Sequence, residues 1–573
     1  MRKNFLILSV AVATAMSVAA QVRVMSPEEP ASAIGHAVSH KAGIMTVGEC
    51  METFSPQSLM PVTKAASPVL SSDLEPIFTA PAGEKTMYSR TSYGTYIYDG
   101  RYLVFGKQTE TASTIVYGDD GYAYIQKVFS GWPAFSYLKC EIDGNRLTAK
   151  LPQPMFQEPD MYDPSITHTY YATMLHKLDD GSGNVFYGVD EYVTPEVQTV
   201  AWIVNADGTL SLDMGYDPTP NADGTLAYPE FLFGLADERG TWTIAGDCWQ
   251  EYAEVDYRAL EVPDGLDVEE WTIISGEEGR SINLAFDGDD VYVSNFSDYL
   301  PSSWFKGKVA DGKVTFDSRQ YVGEVEMYYQ FFSSAKYEGN NYEIIDRIEL
   351  NYDAENKVMY SAPGECVMYN SKLDDVFYLT IYNDPVIKVR ETNPNPRPMA
   401  PTPTLYVDYY EYYGFCYFDF NISNLNKEGD LLDTTSMYYQ LYFDGEPYTF
   451  YSDEHNVPED MTDIPYNFDN GISIFADGIS HAVYFYFTGF ETIGLRAFNV
   501  VEGVTYESPM TIYDVATGEI TTGIKENTIQ DRPETVEYYT LQGVRVQNPD
   551  NGIFIKVETF TDGTHRAVKS ILR

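Results

Sequence analysis

Carboxylates are the most abundant reactive groups of this chain. It carries 85 Asp and Glu against 37 Lys and Arg, a formal charge of −48. Two carboxylates roughly 5–10 Å apart can serve as the acid and base of glycoside hydrolysis. Asp119 and Asp120 recur as Asp287, Asp289 and Asp290 at matching places in two stretches of chain. Both groups fall where hairpin turns are expected, and Asp is favoured there for its own backbone hydrogen bonds. Turn formation, not catalysis, is the expectation for them. Asn205–Leu210 and Asn221–Leu226 repeat the run Asn-Ala-Asp-Gly-Thr-Leu. Calcium is the one cation such loops would attract, since it takes carboxylate and carbonyl oxygens. Ile203 and Thr219 stand where an EF-hand-like loop needs its first Asp, so two hairpin turns are expected and no metal site is assigned. His36 and His40 have helical spacing, but no Glu follows His36 as the zinc-protease motif requires. Cys50, Cys140, Cys248, Cys366 and Cys416 lie far apart, which excludes a zinc ribbon or a Cys-x-x-Cys redox motif and favours buried free thiols. No nucleophile elbow, phosphate-binding glycine loop or dinucleotide fingerprint occurs. The remaining candidates are aromatic: Trp304, Tyr137 and Trp132 are the expected ligand-binding residues, with no catalytic residue and no cofactor.

Strands must position these side chains. Tyr (48) and Phe (30) are abundant, and both suit a pleated, half-buried surface. Twelve Asp-Gly pairs supply the positive φ angles of tight hairpins. The chain is therefore expected to be all-β. Residues 119–153 and 287–320 share a pattern. Each has an Asp-rich turn, a strand centred on Tyr124 or Tyr292, a Pro, and an aromatic ahead of Lys139 or Lys306. From that Lys, Thr148 and Thr315 follow at nine residues, and Gln153 and Gln320 five later. Four short strands per copy would make the blade of a β-propeller. Residues 83–391 are thus expected to form a propeller-like repeat body, with tandem β-sandwiches as the alternative. If the repeat is real, Leu138 and Phe305 face the core, while Tyr137 and Trp304 face outward.

Around this body the chain divides by composition. Met1–Ala20 has the Arg2-Lys3 start, apolar core and small-residue end of a secretory signal peptide. Residues 21–82 are a leader or linker, and the Pro-rich run 392–403 is a semi-rigid linker. Residues 404–515 show about seven strand-like runs, which suits a sandwich. This stretch resembles the fibronectin type III-like modules of exported bacterial proteins, a likeness that implies spacing, support or binding. Tyr406–Tyr413 places aromatics on both faces of its first strand, where they cover the sandwich core or stack on sugar rings. Residues 525–573 hold seven bases and seven acids, unlike the acidic remainder. Their Tyr539–Val546, Gly552–Ile555 and Val568–Arg573 runs resemble a shortened C-terminal sorting domain of the type IX secretion system. That resemblance implies recognition by outer-membrane secretion machinery.

The acidic surface disfavours nucleic acid and anionic membranes, and no apolar run is long enough to span a bilayer. The expectation is a secreted or surface-displayed interaction protein that binds a glycan or protein through its repeat body. A carbohydrate-active hydrolase on a propeller and a structural surface-layer component are the alternatives. Cell surface, outer membrane or extracellular space is the expected location, or the periplasm if the tail is not used.

Overall fold

The computed structural model describes residues 57–58, 70–79, 81–98, 102–129, 135–159, 165–179, 185–189, 198–219, 221, 226–239, 243–410, 415–523, 535–539, 545–546, 552–559 and 565–572. The signal-peptide reading, His36, His40, Cys50 and Trp132 lie outside them.

The molecule is nearly all β, as its Tyr-rich, turn-punctuated sequence demands. After β1 (Gln57–Ser58), the first copy runs β2 (Gly83–Tyr98), β3 (Tyr102–Gly118), β4 (Tyr122–Gln126), β5 (Tyr137–Asp143), β6 (Arg146–Leu151), β7 (Gln153–Pro159), β8 (Thr167–Asp179), β9 (Val185–Gly188), β10 (Gln198–Val204), β11 (Leu210–Leu212), β12 (Phe231–Asp237) and β13 (Thr243–Val255). Antiparallel pairings join β2-β3-β4-β5-β6-β10-β11-β13 and return from β13 to β2, an eight-stranded up-and-down ring. The strands left out form an accessory sheet, β7-β8-β12 with the start of β13, and β9 lies beside β8.

The second copy repeats this plan. It runs β14 (Val268–Ser275), β15 (Glu278–Asp287), β16 (Asp290–Ser294), β17 (Trp304–Ala310), β18 (Lys313–Asp317), β19 (Gln320–Val325), β20 (Tyr328–Glu338), β21 (Asn341–Ile345), β22 (Arg347–Asp353), β23 (Val358–Tyr360), β24 (Glu365–Asn370), β25 (Tyr378–Asn383) and β26 (Val386–Val389). Strands β14-β15-β16-β17-β18-β22-β23-β26 close a barrel, and β19-β20-β24-β25 form its accessory sheet with β21 beside β20. The register agrees all the way round. Starting from the pairs Tyr124–Lys139 and Tyr292–Lys306, either route round the ring brings Arg90 of the first barrel onto Ile273 of the second.

The two matched stretches therefore hold corresponding ladder positions, but each belongs to a larger unit than a blade. A ring of four-stranded blades does not form. Each matched stretch is the β4–β6 or β16–β18 part of a barrel that closes on its own core, nearer to the tandem alternative. Side chains fill both barrels, as expected for eight strands. Leu138 and Phe305 are 0% and 2% exposed in their separate cores. The two fillings compensate in size. Cys140 and Ala149 of the first barrel become Gly307 and Phe316 in the second, where a Cβ on Gly307 would meet Phe316 Cδ1 at 2.6 Å. A hairpin turn forms at the pair Asp311-Gly312, where both residues have positive φ, 51° and 73°, between β17 and β18.

The copies dock closely. Ala112 N–H donates to Met327 C=O at 2.6 Å, and the Tyr329 hydroxyl lies 3.1 and 3.0 Å from Tyr88 and Ser113 C=O. Buried Lys127 pairs with Glu324 across the seam. Beyond the barrels, the sheets Thr402–Tyr410, Phe415–Asn421, Ser480–Phe485, Ile474–Asp477 and Glu446–Pro447, Met437–Phe443, Thr492–Val501, Met510–Asp514, Ile520–Gly523 face one another over a single core that includes Phe418, Leu441, Val483 and Leu495. The Pro-rich run is pinned to this sandwich: Thr511 and Asn499 donate to Pro401 and Pro396 C=O at 2.7 and 3.1 Å. The tail forms its own four-stranded sheet from Thr535–Tyr539, Arg545–Val546, Gly552–Thr559 and His565–Leu572. No helix of the described residues is long and apolar enough to cross a membrane.

Candidate functional site

The repeated Lys and Gln residues define a gap in each barrel wall. Strand β6 pairs with only the far half of β5, and β18 likewise with β17. Gln153 then acts as a substitute strand. It accepts from Lys139 N–H at 3.1 Å and donates to Lys139 C=O at 2.8 Å and Lys150 C=O at 3.0 Å. Gln320 repeats the arrangement, accepting from Lys306 N–H at 2.9 Å and donating to Lys306 and Asp317 C=O at 2.9 and 2.8 Å. The shared Thr-x4-Gln ending thus has a physical cause: the amide satisfies backbone groups that the diverging strand leaves bare.

On the outer face beside this gap the two copies differ. In the first, Tyr124 donates to Asp120 Oδ2 at 2.6 Å, which holds that carboxyl below its ordinary range, and Lys139 Nζ stands 3.7 Å from the Tyr122 ring centre. Ile77 C=O accepts from Tyr137 N–H at 2.9 Å, and Ile77 packs with Val116, Tyr124 and Tyr137. Tyr137 is consequently 5% exposed, not the open aromatic expected, because residues before the first barrel fold back over it. In the second copy Asp290 replaces Tyr122. Trp304 is half-buried, Lys306 is exposed, and Tyr292, the cross-strand partner of Lys306, is 5% exposed. Of the three aromatics proposed from sequence, Trp304 alone is described with a partly open side chain.

The recurring carboxylates sit at hairpin ends, with Asp287 opposite Asp290 across β15 and β16. Asp120 caps its turn, accepting from Tyr122 N–H at 3.2 Å, and Asp290 stands 3.8 Å from Lys308. Asp207 likewise closes the β10–β11 turn, accepting from Thr209 N–H and hydroxyl at 3.1 and 2.7 Å. The second copy of that loop lies outside the described residues at 222–225. Cys140, Cys248, Cys366 and Cys416 are free and buried. Tyr406 turns toward Phe418 and Tyr513 of the sandwich.

Sequence reasoning missed one cluster, His168, Asp237 and Glu238, whose ligand atoms lie within 4.8 Å of one another. Register alone assembles it, at the end of the β8–β12 pair, from residues about 70 positions apart. Glu238 bonds His168 Nδ1 at 2.8 Å and accepts from Thr169 N–H at 2.9 Å. Burial pushes its carboxyl up, and these bonds outweigh burial and hold it low. Arg239 Nη2 lies 3.1 and 3.2 Å from the two His168 ring nitrogens, so a guanidinium already supplies the cation next to the acids. Arg239, His168 and Glu238 together form a polar clamp at the end of this strand pair. In the second copy the equivalent positions are Tyr328, Ser371, Lys372 and Leu373.

The first barrel also has a polar interior. Buried Arg90 donates to Lys127 C=O at 2.6 Å and to Thr111 Oγ1 at 3.2 Å. Gln250 donates to Asp247 Oδ2 at 2.6 Å and accepts from Trp202 Nε1 at 2.9 Å. Burial lifts the Asp247 carboxyl to about 6, partly offset by Arg90. Ile273 and Ile387 take the places of Arg90 and Tyr252 in the second barrel, so the barrel plan does not require this network.

No protein-family model matches the chain, and no curated protein matches it either.

Proposed function

We propose that this is an exported, surface-displayed interaction protein that holds its partner on the outer face of the second barrel, around Trp304. One observation carries the reading: the face that Ile77 covers in the first copy has an exposed Lys306 and a half-buried Trp304 in the second. Aromatic side chains on rigid strands offer apolar contact area at little entropic cost, which suits glycan or protein recognition. The filled barrel interiors and turn-capping carboxylates favour binding over turnover. In this reading the sandwich supports the barrels, as its fibronectin type III-like pattern implies. The tail's separate sheet serves as a sorting signal for type IX secretion, and Met1–Ala20 directs export.

The test is a glycan array and a panel of surface proteins, each probed with the wild-type protein and with Trp304→Ala. Saturable binding that weakens about tenfold or more in the variant is expected for a central aromatic contact. New reducing ends released from any bound glycan would overturn the non-catalytic reading.

A further inference from the structure

The ladder phase at Trp304 leaves backbone groups without a strand. Val309 N–H donates to Asp289 C=O at 2.7 Å. Antiparallel pairs alternate between exchanging and not exchanging bonds. The pairs Val291–Gly307 and Val293–Phe305 therefore exchange bonds, while Lys308, Lys306 and Trp304 direct N–H and C=O away from β16. Lys308 meets Thr315 of β18 on that side, and Lys306 meets the Gln320 side chain. Trp304 pairs with no further strand among the described residues. In the first copy the same phase gives Glu141 to Thr148, Lys139 to Gln153 and Tyr137 to Ile77. The covering run there is Asp73-Leu74-Glu75-Pro76-Ile77-Phe78, an extended segment that makes a one-residue bridge.

Charge differs as well. Lys139 rests on the Tyr122 ring at 3.7 Å, whereas Lys306 is exposed and within 4.0 Å of no described carboxylate. A carboxylate on the incoming segment would complement it. The chain's overall negative charge is screened beyond about 8 Å at physiological ionic strength, so this local match governs the docked state.

We infer that the strand edge at Trp304 docks an extended segment of a partner protein, an aliphatic residue flanked by a carboxylate, whose backbone pairs with Trp304 as Ile77 pairs with Tyr137. This is recognition by strand addition: main-chain bonds give affinity and alternate side chains give specificity. It rests on the reading of the second barrel as the binding element and names the partner's chemistry.

The probe is a synthetic peptide of residues 71–79 carrying a photoreactive group at Phe78, added to the full-length protein. Saturable crosslinks to residues 300–307 and 320–325, with slowed exchange of the Trp304 amide, are expected. Trp304→Ala should weaken binding about tenfold or more. The exposed Lys306→Met change should weaken it severalfold at low salt without altering the fold, and the loss should shrink as salt rises. Crosslinks confined to residues 135–159, or none, would overturn the inference. Self-association that the peptide dissociates would also overturn it, by making a second copy's segment the occupant. If glycan binding is lost in Trp304→Ala while the peptide fails, the inference falls and the interaction reading stands. If both fail, both fall.

Discussion

Phe305 and Trp304 are neighbours that face opposite ways, and their fates show how far a two-residue period can be trusted. The alternation correctly buried Leu138 and Phe305. Phe305 stacks on Phe332 at 3.9 Å and meets Phe296 at 5.3 Å. Truncation of either Phe305 or Leu138 to Ala should cost about 2–5 kcal/mol in denaturant unfolding, by transfer and cavity terms. The same alternation predicted exposure of Tyr137 and failed, because strand period reports which way a side chain points and not what later lies on it. A second residue-scale consequence concerns pH. Asp419 is 7% exposed on the sandwich, and burial lifts its carboxyl to about 7, partly offset by the Tyr417 hydroxyl. A carboxyl raised above its unfolded value near 3.9 binds more protons folded than unfolded. Its stability contribution is full below about pH 4 and is lost as pH rises toward 7. Asp419→Asn should remove that slope and raise the sandwich's melting temperature at pH 8, measured by calorimetry; a lower melting temperature at pH 8 would contradict it.

At the scale of elements, the hairpins were legible and their closure was not. Tyr-rich runs and Asp-Gly turns placed β4 to β6 and β16 to β18, and the Lys-to-Gln spacing matched the copies because one hydrogen-bonded device recurs. A propeller blade and a third of a barrel have the same local pattern, however. What separates them is whether β6 meets β10 and β13 meets β2, pairings about 50 and 160 residues apart in the chain. The tail sheet is simpler. Its strands pair only with one another among the described residues. Deleting 525–573 should therefore leave the melting temperature of the remainder within about 1–2 °C, while surface display in the native host is lost. A large fall in melting temperature would show that the tail completes the fold.

For the whole molecule, charge and docking oppose one another. A net charge of −48 repels itself in the compact state. Lys127 is buried at the seam between barrels, where burial lowers its pKa and Glu324 raises it. Raising NaCl from about 10 mM to 0.5 M should screen the general repulsion more than this shielded pair, so the melting temperature should rise by several degrees. A fall would indicate that surface ion pairs dominate.

Composition and spacing alone determined that the described residues are nearly all β, that 119–153 and 287–320 share one local pattern, and which side of β5 and β17 enters a core. Those properties depend on neighbours a few residues apart. Ring closure, the His168 clamp, the burial of Tyr137 under Ile77 and the unpaired edge at Trp304 were decided only by the tertiary structure. Each depends on segments far apart in sequence meeting in one register, and the local pattern of either segment is the same whether they meet or not.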